Sequence, residues 1–473
     1  MKKPILITGA TGLVGKMVCQ KLFEAGDTLI LTSRDPERAK RTFPFPARWV
    51  KWDPLVETLP TEALRGDGQG LKAVIHLAGE SVAGGRWTSQ RKKLILDSRA
   101  LGTRNLVDAL MAAEHKPEVV LSASAVGYYG DRGDEELTED SLPGTGFLSE
   151  VCQAWEKEVK RLNEIPGIRW AIARIGIVLS TEGGALGKLI PLFRSGVGGA
   201  VGSGKQWMSW IHSDDLVAAL EFAVRESRLK GVFNAVAPNP RSNAEFSHAL
   251  GKALGKPAWA PAPAFALRAG LGEMSEIVLA SQKVKSSVLE KLGFSFRYSR
   301  LEDAFAALFA LPPSVVEAVG SRGACDELRA VQWIPQPLDK VFEFFSEAKN
   351  LETLTPDFLN FKIQKVSTPA IQEGTLIDYT LKVHGVPIRW RTRIEDWQPG
   401  RQFVDTQLKG PYRLWHHTHQ FRAVAGGTLM EDRVRYRLPM AGLGRLVAGS
   451  FVRKDVEAIF RYRFDRVREI FGS

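Results

Sequence analysis

The sequence predicts an α/β protein: a doubly wound parallel sheet, followed by a separate domain of α+β type. Three observations carry this. Apolar runs alternate with amphipathic helical stretches through the first half of the chain. A glycine-rich turn lies directly between the first strand and the first helix. Beyond about residue 326 the pattern changes to strands with alternating faces, closed by one long helix.

The elements follow in order. PILITGA (4–10) is a buried strand, GLVGKMVCQKLFEAG (12–26) an amphipathic helix closed by Gly26, and TLILTSR (28–34) the next strand. AVIHLAG (73–79), EVVLSASAV (118–126) and RWAIARIGIVLS (169–180) continue the series. Apolar strands separated by helices imply a parallel sheet covered on both faces. The stretch LPPSVVEAVGSRGACDE carries Pro, Gly and Ser with little periodicity and reads as a linker. The expected boundaries are therefore residues 1–311, a linker over 312–325, and a second domain over 326–473. In the second domain a strand (327–334) and a helical stretch (338–350) precede five alternating strands. A helix from about Ala448 to Phe471 ends it.

A chain of 473 residues is long enough for two or three domains. With 44% hydrophobic and 25% charged residues it has the composition of a globular protein, which excludes a long disordered region. The net charge of +11 would suit nucleic acid, but the basic residues are scattered and form no block, so no nucleic-acid partner is expected. The three cysteines, Cys19, Cys152 and Cys325, lie far apart without metal-ligand spacing, which fits a reducing, cytoplasmic setting. MKKPILITGATGLVG begins like a leader, but its apolar run is short and breaks into Gly and Thr, so it reads as a strand. No run of about 18 apolar residues suggests a membrane span. The oligomeric state is left open.

TGATGLVG spaces Gly9, Gly12 and Gly15 as G-x-x-G-x-x-G. Gly9 permits the tight turn, Gly12 lets backbone approach a pyrophosphate, and Gly15 lets the helix pack on the sheet. The helix start offers free N–H groups to phosphate. The second strand ends in Ser33 and Arg34, where an acidic residue would favour NAD(H). An arginine can pair with a 2′-phosphate, which favours NADP(H); Asp35 keeps NAD(H) as the alternative. HLAGES (76–81) and SASAVGYYG (122–130) end later strands at the ligand-binding edge.

These pieces, with HLAGESVAGGRWT, SRALGTRNLVDAL, GSGKQWMSWIHSDDL and PAPAFALRAGLGEMSEIVLASQKVKSSVLEKLGFSFRY, resemble the atypical extended short-chain dehydrogenase/reductases of the YfcH-like NAD-dependent epimerase/dehydratase family. The resemblance implies a Rossmann-like domain with a small substrate lobe. It implies cofactor contacts from Gly9, Thr11, Gly12, Leu13, Val14, Gly15, Ser33, Arg34, Leu77, Ala78, Gly79, Glu80, Arg99 and Ser122. It also implies a substrate pocket near Arg86, Trp207, Trp210 and His212, with lobe packing as the bland reading of the aromatics. Asp214 and Asp215 read as a helix cap.

The catalytic Tyr-x-x-x-Lys of the wider superfamily is missing. Aligned on Glu156, the tyrosine falls on Leu148 and the lysine on Cys152, and shifting the register by one restores neither. Ser124, or Ser122, remains of the usual set. Two readings stay open. In one, an oxidoreductase or epimerase acts on a small carbonyl or alcohol compound with another proton donor, Tyr128 or Tyr129 being the nearest phenols. In the other, the fold is a catalytically silent, NADP(H)-dependent binding or regulatory module. Cys152 reads as a buried thiol.

The second domain, through IPQPLDKVFEFFSEAKNLETLTP, GTLIDYTLKVHGVPIRWRTRIEDWQPGRQF and GPYRLWHHTHQF, resembles the START-like (SRPBCC, polyketide cyclase and lipid-transport) superfamily. That implies a helix-grip fold with a hydrophobic ligand. His417 and His419 share a strand face, but no acidic or Cys partner sits at a suitable spacing, so no metal is expected. Arg389, Arg391 and Arg393 alternate with Trp390 and Thr392 and read as an exposed basic face, or the site of an acidic partner.

Overall fold

The structure is a computed structural model that describes residues 3–66, 68–311, 325–438 and 443–472. The expected linker falls outside the described residues except at Cys325. The chain divides into two compact units, one of Met1–Phe43 and Ala47–Ala310, the other of Leu311–Ser473 together with Pro44–Pro46.

The first unit is built on seven parallel strands: β1 (Ile5–Thr8), β2 (Leu29–Ser33), β3 (Arg48–Lys51), β4 (Ala73–His76), β5 (Val119–Ala125), β6 (Arg169–Ile175) and β7 (Gly231–Ala235), in spatial order 7-6-5-4-1-2-3. Their register is parallel throughout, for instance Ile5 beside Leu29 on one side and Ala73 on the other. Ile5, Leu6, Ile7, Val74 and Ile75 have no exposed surface, because helices cover both faces of the sheet. The helices used below are α1 (Leu13–Glu24), α2 (Pro36–Thr42), α3 (Ser89–Ala112), α4 (Phe147–Lys160) and α5 (Ser213–Arg225). Strand order reverses between β1 and β4, and a crevice outside the carboxyl ends of strands at such a point is where open α/β sheets take ligands.

Two strands of this sheet, β3 and β7, are too short or too mixed in polarity to stand out in the sequence. The stretch 169–180 is not one strand. It breaks at Gly176, whose second part, Ile177–Leu179, leaves the main sheet and pairs with Trp210–His212. A Cβ at Gly176 would stand 2.6 Å from Ser209 O, so the break requires glycine. Segments between residues 179 and 309, outside β7, then supply a small lobe with its own core, including Phe193, Trp210, Phe246 and Phe305.

The second unit is one antiparallel sheet of seven strands: β8 (Asp326–Ile334), β9 (Lys362–Val366), β10 (Leu376–Val383), β11 (Val386–Gln398), β12 (Gln402–Lys409), β13 (Leu414–Val424) and β14 (Gly427–Arg437), in order 8-14-13-12-11-10-9. A 29-residue helix, α6 (Leu443–Phe471), ends the chain, starting five residues before its expected position. Strand β11 alternates as expected, with Trp390, Thr392 and Ile394 buried and Arg389, Arg391 and Arg393 exposed. The arginines are not a bare basic face: Arg391 makes a two-point ion pair with Asp378, and Arg393 pairs with Glu395. Phe342, Phe345, Phe403, Phe421 and Val467 pack in one core cluster. Among the described residues no helix is long and apolar enough to cross a membrane.

Candidate functional site

The site begins at the end of β1. Gly9 has φ +73°, and a Cβ there would lie 2.6 Å from Leu77 C, so the turn after β1 and the chain after β4 touch backbone to backbone. A Cβ on Gly15 would stand 2.2 Å from Gly9 O, which fixes how closely α1 approaches the turn. Gly12 is the N-cap of α1, and no side chain caps the helix. Thr11 and Gly12 are exposed, and Leu13 and Val14 half-buried, so the helix start faces solvent with its N–H groups and its positive dipole end.

The end of β4 is locked to this turn by a buried relay. His76 Nδ1 lies 2.7 Å from Thr8 Oγ1, and its Nε2 lies 3.0 Å from Thr103 Oγ1 on α3. The Thr8 hydroxyl also accepts from Ala78 N. Burial holds the His76 imidazole down at about 4, so it is neutral. The following loop is held by Arg99, which donates to Glu80 O at 2.9 Å and lies beneath Gly79. Glu80 itself accepts from Arg91 and, through its backbone N–H, is bound to Ser98. Leu77, Ala78 and Gly79 therefore present backbone to the crevice.

At the end of β2 the two candidate residues for cofactor choice part company. Asp35 caps α2, accepting from Arg38 N at 3.0 Å, and its own N–H donates to Ser33 Oγ. Arg34 is exposed and makes no hydrogen bond or ion pair among the described residues.

Opposite these ends lies a closed network. Ser124 Oγ donates to Glu156 Oε1 at 2.8 Å. Arg174 donates to both carboxylate oxygens of Glu156, Nε to Oε1 at 2.8 Å and Nη2 to Oε2 at 2.9 Å. Its Nη1 donates to Tyr129 Oη at 2.9 Å, and that hydroxyl donates on to Asn234 Oδ1 or Thr138 O. Tyr129 has no exposed surface, and burial, partly offset by Arg174, pushes its phenol up to about 12. Sequence reasoning found Ser124 and Tyr129 but missed that Glu156 and Arg174 link them; the signal was Arg174, a charge inside an apolar strand.

Two of the three candidate catalytic groups are therefore turned inward, and Ser122, whose Oγ donates to Ala123 O, is buried as well. Tyr128 differs. It is half-buried, and the Arg174 guanidinium carbon lies 3.4 Å from its ring centroid. Helix α4 presents packing groups where the superfamily pair would stand. Leu148 abuts Gly127, and Cys152 Sγ donates to Ala125 O at 3.7 Å, its thiol pushed up to about 11 by burial and by Glu156.

Of the expected substrate residues, Trp207 is half-buried with Nε1 donating to Asp134 Oδ1, and Arg86 is exposed and reaches Ala269 O. Trp210 and His212 are both engaged within the fold. Trp210 is fully buried and donates to Asn239 O. His212, not Asp214 or Asp215, caps α5, its Nδ1 accepting from Asp214 N at 3.0 Å. Asp215 instead accepts from the backbone N–H groups of Arg297 and Tyr298.

Comparison with known proteins agrees with this architecture. Residues 5–235 match the NAD dependent epimerase/dehydratase family, and residues 262–308 match a domain of unknown function, DUF1731. The "Epimerase family protein SDR39U1 homolog, chloroplastic" of Arabidopsis thaliana is 39% identical over 306 residues, 64% of this chain and 86% of that protein. An epimerase family protein of Staphylococcus haemolyticus is 37% identical over 65% of this chain and 99% of its own. Among solved structures, the human epimerase family protein SDR39U1 with NADPH is 31% identical, with a TM-score of 0.57 over 64% of this chain and 98% of that one. A nucleoside-diphosphate sugar epimerase from Corynebacterium glutamicum is 34% identical, with a TM-score of 0.52 over 65% of this chain and 58% of its own. Through the first of its two units, the chain belongs to the epimerase family of short-chain dehydrogenase/reductase-like proteins.

Proposed function

We propose that the first unit binds NADP(H) in the crevice between the ends of β1, β2 and β4 and acts on a small carbonyl or alcohol compound. The observation that carries the cofactor choice is the division of labour at Arg34 and Asp35. Asp35 is engaged in capping α2, whereas Arg34 offers a free guanidinium where a 2′-phosphate would lie. Gly9, Gly12 and Gly15 would hold the pyrophosphate against the start of α1, in a turn packed too closely for a Cβ at Gly9 or Gly15. The human relative with NADPH supports the same choice. When bound, the nicotinamide supplies two-electron carbonyl–alcohol redox chemistry.

In this reading Tyr128 is the residue that moves a proton at its Oη, being the one phenol at the β5 end that the buried network does not consume. Arg174, beneath the ring, fixes its position. Trp207 and Arg86 border the substrate. A second reading rests on Ser124 and Tyr129, both committed to buried partners: the unit holds NADP(H) without turnover and works as a binding or regulatory module. For the second unit we carry forward a START-like module with a hydrophobic ligand, on the strength of an antiparallel sheet with a long terminal helix.

Native mass spectrometry of gently purified protein separates these readings. Co-purified NADP(H) with an oxidisable or reducible compound, turned over in a follow-up assay, supports the enzyme. Tightly held NADP(H) with no turnover of any compound recovered supports the silent module, and no affinity for either nucleotide overturns both.

A further inference from the structure

The second unit gathers four ionisable side chains at one point, far along the sequence from the nucleotide signature. His417 and His419 are two residues apart on β13 and share a face. Strand register sets Asp405 of β12 opposite His417, and Asp432 of β14 opposite His419. Both histidines are buried, at 4% and 2% exposed. Each ring turns one nitrogen to each carboxylate. Asp405 Oδ2 lies 3.2 Å from His417 Nδ1 and 3.1 Å from His419 Nε2. Asp432 Oδ1 lies 2.9 Å from His417 Nε2 and 2.8 Å from His419 Nδ1.

We propose that Asp405, His417 and His419 form a binding site for one divalent transition-metal ion of the zinc class, with Asp432 as the carboxylate that orients both imidazoles. A neutral imidazole has one N–H and one lone pair. His417 Nε2 is hydrogen-bonded to Asp432 Oδ1, and His419 Nε2 to Asp405 Oδ2. His417, bonded to Asp432 through Nε2, turns Nδ1 toward the Asp405 anion 3.2 Å away, where a cation would relieve the contact. The ligand atoms lie within 4.8 Å of one another. Bonds of 2.0–2.2 Å to a tetrahedral zinc place neighbouring ligand atoms about 3.3 Å apart, close to the two spacings from Asp405 Oδ2. A zinc ion bound there would replace the His419 Nε2 proton, because ligating nitrogens must be deprotonated.

The outer arrangement is also that of a metal site. Ligating histidines almost always donate their second N–H to a carboxylate or carbonyl, which fixes tautomer and ring angle. Asp432 does this for His417, and its Oδ1 lies 2.8 Å from His419 Nδ1. Arg463 of α6 secures Asp432, its Nε 3.4 Å from Oδ2. Arg463 Nη2 also donates to His419 Nδ1 at 3.3 Å, which fixes that ring with Nε2 toward Asp405. Phe403 stacks on the His419 ring at 4.3 Å, and Phe460 meets His417 edge-on, so the rings are held before any ion arrives.

The test uses the full chain, stripped with EDTA, desalted, and titrated with Zn²⁺ by calorimetry and with Co²⁺ by visible absorption. The expected result is one ion per chain, with the intense Co²⁺ bands of low coordination number. Asp405→Asn and His419→Ala should each weaken Zn²⁺ binding by at least ~100-fold, and Asp432→Asn by about 10–100-fold. His384→Ala removes an exposed histidine paired with Asp455 and should change nothing. No saturable binding by the unaltered chain overturns the proposal, as does affinity unmoved by Asp405→Asn or lost equally in His384→Ala. Should the buried variants fail to fold, X-ray absorption of the Zn²⁺-loaded unaltered chain decides. Two imidazole nitrogens and a carboxylate oxygen support the site, and a shell without imidazole refutes it.

Discussion

Arg174 and Glu156 face each other through two parallel hydrogen bonds of 2.8 and 2.9 Å, with 2% and 1% of their side chains exposed. Burial alone would depress the Arg174 guanidinium, yet Glu156 and Tyr129 hold it above its ordinary range. The pair ties β6 to α4 and carries Ser124 and Tyr129 with it.

Removing one partner leaves a buried charge unpaired. Glu156→Gln or Arg174→Met should each destabilise the first unit by about 3–5 kcal/mol, more than any exposed pair of the chain. The double variant should recover much of the loss. Urea denaturation of the three variants checks this, and strictly additive losses would contradict it.

His76 sets an acid limb. Its folded value, about 4, lies below the ordinary histidine value of 6.5, so the unfolded chain binds the proton first on acidification. Stability is full above pH 6.5 and falls as pH drops toward 4, by about 3 kcal/mol in total, below which this contribution is constant. Denaturation across that window should show the slope, and His76→Asn should flatten it.

The glycines of the turn are separable. Gly15→Ala drives a methyl into Gly9 O and should cost the fold at least ~2 kcal/mol. Gly12→Ala meets only Gly9 O, at 3.3 Å, and should leave the melting temperature nearly unchanged while weakening nucleotide binding at least ~10-fold. Thermal melts beside NADPH titrations distinguish them.

Arg34→Ala should weaken NADPH binding by ~10-fold or more and leave NADH binding almost unmoved. Equal loss for the two nucleotides would remove the support for NADP(H).

Tyr128→Phe addresses turnover. If Tyr128 handles the proton, kcat for a recovered substrate should fall by about 10²–10⁴ with cofactor affinity preserved. An unchanged kcat would assign the proton to another group.

The sequence carried the parallel sheet through Ile5–Ile7, Leu29–Leu31 and Ala73–Ile75, because strands buried on both faces must be apolar throughout. It carried the nucleotide turn because Gly9 and Gly15 have no substitute at their contacts. It did not carry β3, whose pattern Arg-Trp-Val-Lys is that of a half-exposed edge. Nor could spacing along the chain reveal the partners of His417 and His419. Asp405 and Asp432 lie 12 to 15 positions from them and become neighbours only through strand register. Trp210 looked like a pocket residue by motif, and its burial depends on the lobe folding over it. The expected cap at Asp214 failed because the helix begins at Ser213, which puts His212 in the capping position, where it accepts from Asp214 N.

Asp35 has a consequence for descent. A carboxylate that ends a helix cannot also be given over to a ribose, so a lineage moving toward NAD(H) would have to replace Arg34 and find α2 a new cap. If NADP(H) is the cofactor, as proposed above, either step alone is a loss: the first forfeits that nucleotide, and the second frays the start of α2 at a cost of about 1 kcal/mol. On that reading nucleotide preference is sheltered from drift by a folding requirement one residue away, and a graft of either residue into a relative should carry both.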